Sequence, residues 1–511
     1  MASEVPEPME SDGAVLRSPR EWHSDPEGQL DLFGDGENFR FRKKIRLIEL
    51  FAGYGSQRLA LDYLHADYES WRICEWAIPS IIAYAMRHAS FRATSLFVLL
   101  SQWCLRKLAC LGVSKDYSHP ATEEELCRMD ESKLKLAYDS IADTNNLVDI
   151  SKAHGKDFLM EGRENYNVML TYSFPCQDLS LAGELAGMNE QSGTRSSLVW
   201  QVMRILKEMK EEGQLPDVLV MENVPNVCGK KNISDFMKII SFLDGLGYHS
   251  SYQILSAVDY GIPQVRKRCF MVSVLDGEGG YEFPKPFRLT WKLRDFLEGN
   301  PDPKIQAKRG GNQERRQEEK AIMVPEATKK GFQQAMAGDC IYTNRPWQKR
   351  GTVQKGKAQT ITCAVRHDIA VVVGTPDRKV DGKYYLSNAF IRTFTTNKFL
   401  KGKKVVNKDN AEVITTKADR QTMPVVSEAL GDNTDVMPTI KEGNGDSDWG
   451  FLRLRKLTPK ECFRLMGVKD SDFAKLAGYF SDGILYHLAG DSIVVDVLMA
   501  VFAKMIGKEE S

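Results

Sequence analysis

Ile45-Arg-Leu-Ile-Glu-Leu-Phe-Ala-Gly-Tyr-Gly-Ser56 is the stretch whose reading decides the fold. Its first seven residues form a short apolar strand, Gly53 and Gly55 punctuate a turn, and Arg58 to Leu64 begin a helix. Glycines at such a turn let the main chain approach a ligand closely, and the helix N-terminus favours a negative group. Further strand-like runs follow at 71–74, 168–172, 218–221, 252–257 and 269–274. Helical patterns lie between several of them, at 78–87, 197–211 and 233–246. Strands alternating with helices predict an α/β fold: a doubly wound, mostly parallel sheet with helices on both faces.

Around this centre the 511 residues divide by composition. Residues 1–40 are acidic and rich in Pro and Ser, and are expected to be a disordered tail. The part with alternating strands and helices spans 41–290, with a helical insertion over 89–146. From 291 to 450 a polar stretch leads into short β-rich pieces, and 451–511 returns to helices. The formal net charge of zero hides an asymmetry: residues 1–39 carry ten acidic and two basic side chains, and 339–408 carry fifteen Lys/Arg against four Asp. A basic module on a neutral chain fits a polyanion partner, although a solvated charged face would look the same. The longest apolar runs fall short of a membrane span, and ten cysteines without a CxxC pair read as reduced thiols. The expected location is therefore cytoplasmic.

Several residues stand where chemistry is done in such folds, beyond the carboxyl ends of strands. Glu75 ends the second strand, where a carboxylate can hold ribose hydroxyls. Tyr172-Ser-Phe-Pro-Cys-Gln177 places a cysteine on a proline-shaped loop. Met221-Glu-Asn-Val-Pro225 ends another strand with a carboxylate and an amide, and Gln264-Val-Arg-Lys-Arg268 sets two arginines at alternate positions. Each has a plain structural explanation alone; the ordered set on one sheet does not.

The set resembles the cytosine-5 DNA methyltransferases. The likeness takes in Phe51-Ala-Gly-Tyr-Gly55, Glu75-Trp76, Asp149, Pro175-Cys-Gln, Glu222-Asn-Val and Gln264-x-Arg-x-Arg268. It continues through Arg455-Lys-Leu-Thr-Pro-Lys-Glu461, Arg464-Leu-Met-Gly467 and Ala489-Gly-Asp-Ser-Ile-Val-Val495. It implies the S-adenosylmethionine-dependent methyltransferase fold, with residues 291–450 as an inserted target-recognition domain. It also implies methyl transfer from S-adenosylmethionine to C5 of a flipped-out cytosine in duplex DNA, without a metal. In that scheme the Cys176 thiolate attacks C6. Glu222 works at N3, Arg268 holds the base oxygen, Arg266 supports the site and a phosphate, and Pro175 and Asn223 shape the cysteine loop. Phe51, Gly53 and Gly55 lie along the methionine part of the cofactor, Glu75 at its ribose, Trp76 on adenine and Asp149 at the exocyclic amine. Core packing for Trp76 and a capping role for Asp149 are the plain alternatives.

Three departures from the family pattern qualify this reading. Ser56 replaces a frequent glycine, Asp149 lies far beyond Glu75, and Gly490-Asp491-Ser492 stands where Gly-Asn-Ser is usual. Asp491, ionised, cannot donate as Asn does and adds charge near the expected cofactor carboxylate. An RNA cytosine-5 methyltransferase on the same fold is the alternative, against which the long basic module argues. A binding protein with a degraded site is a weaker third. The compact layout looks bacterial or phage-borne, either the modification half of a restriction system or a solitary enzyme. Finally, Gln29-Leu30-Asp31-Leu32-Phe33 resembles the peptide that docks bacterial proteins on the replication sliding clamp; an N-terminal strap packed on the catalytic part is the equal alternative.

Overall fold

The computed structural model describes residues 40–88, 102–175, 195–277, 280–286, 291–298, 321–326, 332–343, 351–363, 369–373, 380–384, 386, 413–415, 422–424 and 453–506. Cys176 and the pentapeptide 29–33 lie outside these.

Six strands make the central sheet: β1 (Ile45–Leu50), β2 (Tyr68–Cys74), β3 (Asn167–Tyr172), β4 (Val218–Asn223), β5 (Tyr248–Ser256) and β6 (Lys267–Leu275), in the order β2-β1-β3-β4-β6-β5. The first four run parallel, and β6 is antiparallel to both β4 and β5. Both faces are covered, which is why the inner strands read as nearly continuous apolar runs. Period-two alternation divides β1 between them: Ile45 and Leu47 join one core, Ile48 and Leu50 the other.

The helices in chain order are α1 (Ser56–Tyr63), α2 (Ile78–His88), α3 (Gln102–Leu111), α4 (Glu123–Cys127), α5 (Glu131–Asp143), α6 (Val199–Glu211), α7 (Ile233–Leu246), α8 (Leu293–Phe296), α9 (Pro459–Leu465), α10 (Asp470–Ala474), α11 (Asp482–Asp491) and α12 (Val495–Ala503). Helices α6 and α7 cover one face of the sheet. The other face takes α1 together with α11 and α12, so the C-terminal return completes the core of a sheet laid down some 200 residues earlier. Phe41 donates its N–H to the Met505 carbonyl at 2.7 Å, bringing the two ends of this body together. By length and composition Asp482–Ala503 could cross a membrane, but 83% of that window is buried inside the protein.

Between 102 and 146 the described residues form three helices. Helices α3 to α5 build a satellite core with Ile78, Ile81 and Ile82 of α2.

The β-rich region begins with the hairpin β7 (Ile322–Pro325) and β8 (Phe332–Ala335). It continues with β9 (Cys340–Tyr342), β10 (Val353–Gln354), β11 (Ile369–Val373) and the small pair β12 (Val413–Thr415) and β13 (Thr422–Pro424). Strand β14 (Arg453–Arg455), already in the C-terminal return, pairs antiparallel with β11 and closes a sheet ordered β10-β9-β11-β14. Cys340, Tyr342, Ala358, Ile361, Ile369 and Val371 pack into the same core as α11 and α12. An excised 291–450 fragment would lose β14 and expose that apolar face. It should therefore not fold alone, and a cooperative melt of the isolated fragment would refute this.

Arg455-Lys-Leu-Thr-Pro-Lys-Glu461 acquires a structural explanation. Thr458 caps α9, accepting from Glu461 N at 3.2 Å while Glu461 accepts from Thr458 N at 2.8 Å, and Pro459 occupies the first turn. The same carboxylate takes two hydrogen bonds from Arg455 at 2.7 and 2.6 Å, with both side chains at most 2% exposed.

Beside the glycine turn sits a second buried ionisable group. Burial pushes the Glu49 carboxyl up to about 7, against a hydrogen bond from Tyr84. Its stabilising contribution is complete below the ordinary value of 4.5 and is lost as pH rises through 7. Neighbouring His88, pushed down to about 4 by burial, acts with the opposite sign as pH falls below 6.5. Comparing the protein with its Glu49→Gln variant isolates the first effect. The difference in unfolding free energy should move against the native protein by on the order of 2–3 kcal/mol between about pH 5 and pH 8. Urea melts at the two pH values measure it; a constant difference would mean Glu49 does not titrate as described.

Candidate active site

The glycine turn is built by strand ends. Phe51 and Ala52 donate their N–H groups to the Cys74 carbonyl at 2.8 and 3.2 Å, carrying the chain out of β1 beside β2. Phe51 and Gly53 adopt φ of 60° and 56°, and a side chain added at Gly53 would meet open space. Gly55 differs: at φ 84° it packs so tightly that a Cβ would lie 2.5 Å from His88 Nε2. Its glycine serves backbone and packing, whereas Gly53 leaves room for a ligand.

Glu75 links this turn to the insertion. Its carboxylate accepts from Gly53 N and Ala77 N, both at 2.8 Å, and its main chain pairs with the Asn146 amide at 3.0 and 2.9 Å. Burial pushes its carboxyl up to about 7 despite those N–H donors. Each oxygen retains a lone pair for a hydroxyl. Trp76 packs partly buried against the satellite core. Asp149 accepts from the N–H and hydroxyl of Ser151 at 2.9 and 2.7 Å, within a turn.

A cavity opens over the turn, lined by Phe51, Gly53, Ser173, Tyr117, Asp491 and Ser492 among others. It thus unites residues from both ends of the chain, while Gly55, Glu75, Trp76 and Asp149 stand outside its lining. Ser492 is buried, accepts from Tyr54 Oη at 3.1 Å and donates to the Ala489 carbonyl at 2.8 Å. Asp491 is not an isolated charge. Its Oδ2 lies 2.9 Å from His487 Nε2, and Cys363 Sγ donates to Oδ1 at 2.7 Å. Crowding by surrounding chain disfavours its charge, but these partners and Arg266 outweigh that and hold the carboxyl below its usual range. The carboxylate expected to stand alone near the cofactor is therefore already contacted by Cys363 and His487, and Asp491→Asn should relieve a cofactor carboxylate less than removal of a bare aspartate would.

At the carboxyl ends of β3 and β4 the second half of the site forms. Glu222, 6% exposed, lies 3.0 Å from Arg268 Nε and accepts from Ser173 Oγ at 2.5 Å. Asn223 donates to the Phe174 carbonyl at 3.0 Å, and Ser196 Oγ donates to the Pro175 carbonyl at 2.8 Å. The two residues preceding Cys176 are thereby tied down beside Glu222.

The two arginines of Gln264-x-Arg-x-Arg268 diverge. Arg268 reaches Glu222, whereas Arg266 turns inward, donating to the Ile361, Gly490 and Ser492 carbonyls at 2.5, 3.1 and 2.6 Å. A guanidinium occupied by main-chain carbonyls in a buried setting supports the site but does not face a phosphate. Gln264, fully buried, bridges the same parts through Leu465 O and Ile361 N.

A family model described as C-5 cytosine-specific DNA methylase matches residues 129–507. The chain belongs to that family. Among relatives of this DNA cytosine methylase, the type II methyltransferase M2.ScrFI of Lactococcus lactis subsp. cremoris is 27% identical over 463 residues, spanning 90% of this chain and 99% of that one. The orphan methyltransferase M.SssI of Spiroplasma monobiae is 36% identical over 239 residues, 46% of this chain and 60% of that protein. The crystal structure of S. pombe Dnmt2 methyltransferase aligns over 91% of this chain and 98% of that one, at 15% identity and a TM-score of 0.46.

Sequence reading of the methylase missed Ser173, Tyr117 and His487. A hydroxyl three residues before Cys176 was a usable signal. Tyr117 and His487 carried none: they meet, with ring centroids 3.9 Å apart, only because the insertion folds back over the C-terminal return.

Proposed function

We propose that this methylase transfers a methyl group from S-adenosylmethionine to C5 of a cytosine rotated out of duplex DNA, through a covalent adduct on Cys176. The observation that carries the reading is the Glu222 carboxylate, held by Arg268 and Ser173 beside the anchored Ser173–Pro175 segment that leads into Cys176.

The Cys176 sulfur forms a bond to C6, which makes C5 nucleophilic. Glu222 hydrogen-bonds the N3 edge and shares a proton there, and Arg268 both orients Glu222 and reaches for the base oxygen. Bound in the cavity, S-adenosylmethionine supplies an electrophilic methyl group. C5 takes that methyl group, leaving S-adenosylhomocysteine; a base then removes the C5 proton as the C6–S bond breaks, which returns the Cys176 thiolate and gives 5-methylcytosine. Gly53 and the Phe51, Asp491 and Ser492 lining fit a ligand's amino-acid end, with Glu75, Trp76 and Asp149 toward its nucleoside. Because C6 is shielded in a stacked duplex, the base must leave the helix. The basic charge over 339–408 supplies phosphate neutralisation for the encounter. Docking on a sliding clamp through residues 29–33 would add a tether near replicating DNA.

Methyl transfer from labelled S-adenosylmethionine to duplex DNA, compared with tRNA, tests the function, and bisulfite sequencing reads the target. Transfer to RNA alone would overturn it. Glu222→Gln should lower kcat by about 10²–10⁴-fold, with DNA affinity little changed. A change confined to KM would make Glu222 a binding residue only.

A further inference from the structure

We propose that Cys363, His487 and Asp491 form a binding site for a zinc-like divalent cation at the seam between the recognition sheet and the C-terminal return. The three donor atoms lie within 4.8 Å of one another. His487 and Asp491 stand four residues apart on α11, so their side chains share one helix face, an established way for a helix to present two metal ligands. Cys363 approaches from the opposite side, 124 residues earlier in the chain, following the segment that Arg266 and Gln264 pin through Ile361.

The donors are held in place from outside the cluster. A Cβ on Gly490 would fall 2.2 Å from Cys363 N, so only glycine lets the two segments close to this distance. The Tyr117 ring lies against His487 at 3.9 Å and fixes the imidazole plane. His487 Nε2 is buried and without a hydrogen-bond partner, although it sits 2.9 Å from Asp491 Oδ2. In the neutral tautomer protonated on Nδ1, this nitrogen offers a lone pair to a cation lying between it and the carboxylate.

The donor set is one thiolate, one imidazole and one carboxylate. That combination suits Zn²⁺ better than the oxygen-seeking Mg²⁺ or Ca²⁺. Cys363 gives up its proton on binding, and the two resulting negative charges balance the cation. Tetrahedral bonds of about 2.0–2.3 Å need donors a little over 3 Å apart, so sulfur and carboxylate must separate by less than about 1 Å. Asp491, 51% exposed, has that freedom. Three protein ligands leave a fourth position, and His487 and Asp491 also line the cavity over the glycine turn. Cation binding would fasten the recognition sheet to the catalytic body at the cavity's rim.

The test uses the full chain, stripped with a chelator and titrated with Co²⁺. A thiolate-to-cobalt charge-transfer band should appear, with tetrahedral visible bands, and Zn²⁺ should displace both. Cys363→Ser should abolish the charge-transfer band, and Cys176→Ser should keep it. Asp491→Asn and His487→Gln should each weaken Zn²⁺ about tenfold or more. Circular dichroism verifies that each variant is folded. The proposal fails if the native chain gives no band or if the band survives Cys363→Ser. It also fails if the band vanishes in folded Cys176→Ser, or if the folded Asp491 and His487 variants bind Zn²⁺ unchanged.

Discussion

Cys176→Ala should abolish methylation, lowering kcat by at least about 10⁴-fold, while S-adenosylmethionine and duplex DNA bind with nearly native affinity. The size follows from the chemistry. C5 of cytosine is a poor nucleophile until C6 carries a bond to sulfur, and no neighbouring group can replace that bond. Retained binding follows from the architecture: Asn223 and Ser196 anchor the preceding residues through main-chain carbonyls, which the substitution leaves in place. Single-turnover assays with labelled cofactor, beside gel-shift and calorimetric binding, separate the two quantities. Appreciable turnover would sink the covalent route. Lost cofactor binding would show that the cysteine loop helps shape the cavity.

The second large effect is on stability. Glu461→Gln or Arg455→Met should each cost about 3–5 kcal/mol, because removing one partner strands the other's charge in the core. Glu461 serves four donors at once: Arg455 twice, Thr458 N, and Glu298 N at 2.6 Å. A double replacement by apolar residues of similar volume should recover much of the loss. Denaturant melts of the two single variants and the double variant measure this. A loss under about 1 kcal/mol in both single variants would mean that water reaches the pair.

The contrast between Ile233–Leu246 and Asp482–Asp491 shows what was legible in the sequence. The first has a clear apolar period that announces its bounds; the second contains Gly483 and Gly490 and lacks such a stripe, so no local pattern marks where it begins and ends within the helical 451–511. Strand β5 starts four residues before the strand-like run 252–257, because Tyr248-His-Ser-Ser leads into it at the sheet edge, where polar residues are tolerated. Phe51, Gly53, Glu75, Glu222 and Asn223 were legible as a set, since they stand at strand ends or at the glycine turn that local sequence announces. Their divisions of labour were not. Arg266 and Arg268 look equivalent in the chain, and only the nearby Ile361 and Gly490 carbonyls, brought in from distant segments, turn one inward. The pairing of Asp491 with Cys363 depends on a contact across 128 residues that no local pattern encodes.

The meeting of Phe41 with Met505 and Ile506 carries a consequence for how the chain is threaded. With the body's two ends in hydrogen-bonding distance, the linear order of its motifs is one choice among several. A circularly permuted gene, opened within the polar stretch 301–320 and joined from 506 to 41 by a few residues, would encode the same packed body. The Arg455 motif would then precede the glycine turn, and the β-rich region with the C-terminal return could be exchanged, or carried on a polypeptide separate from the six-stranded sheet, at that opening.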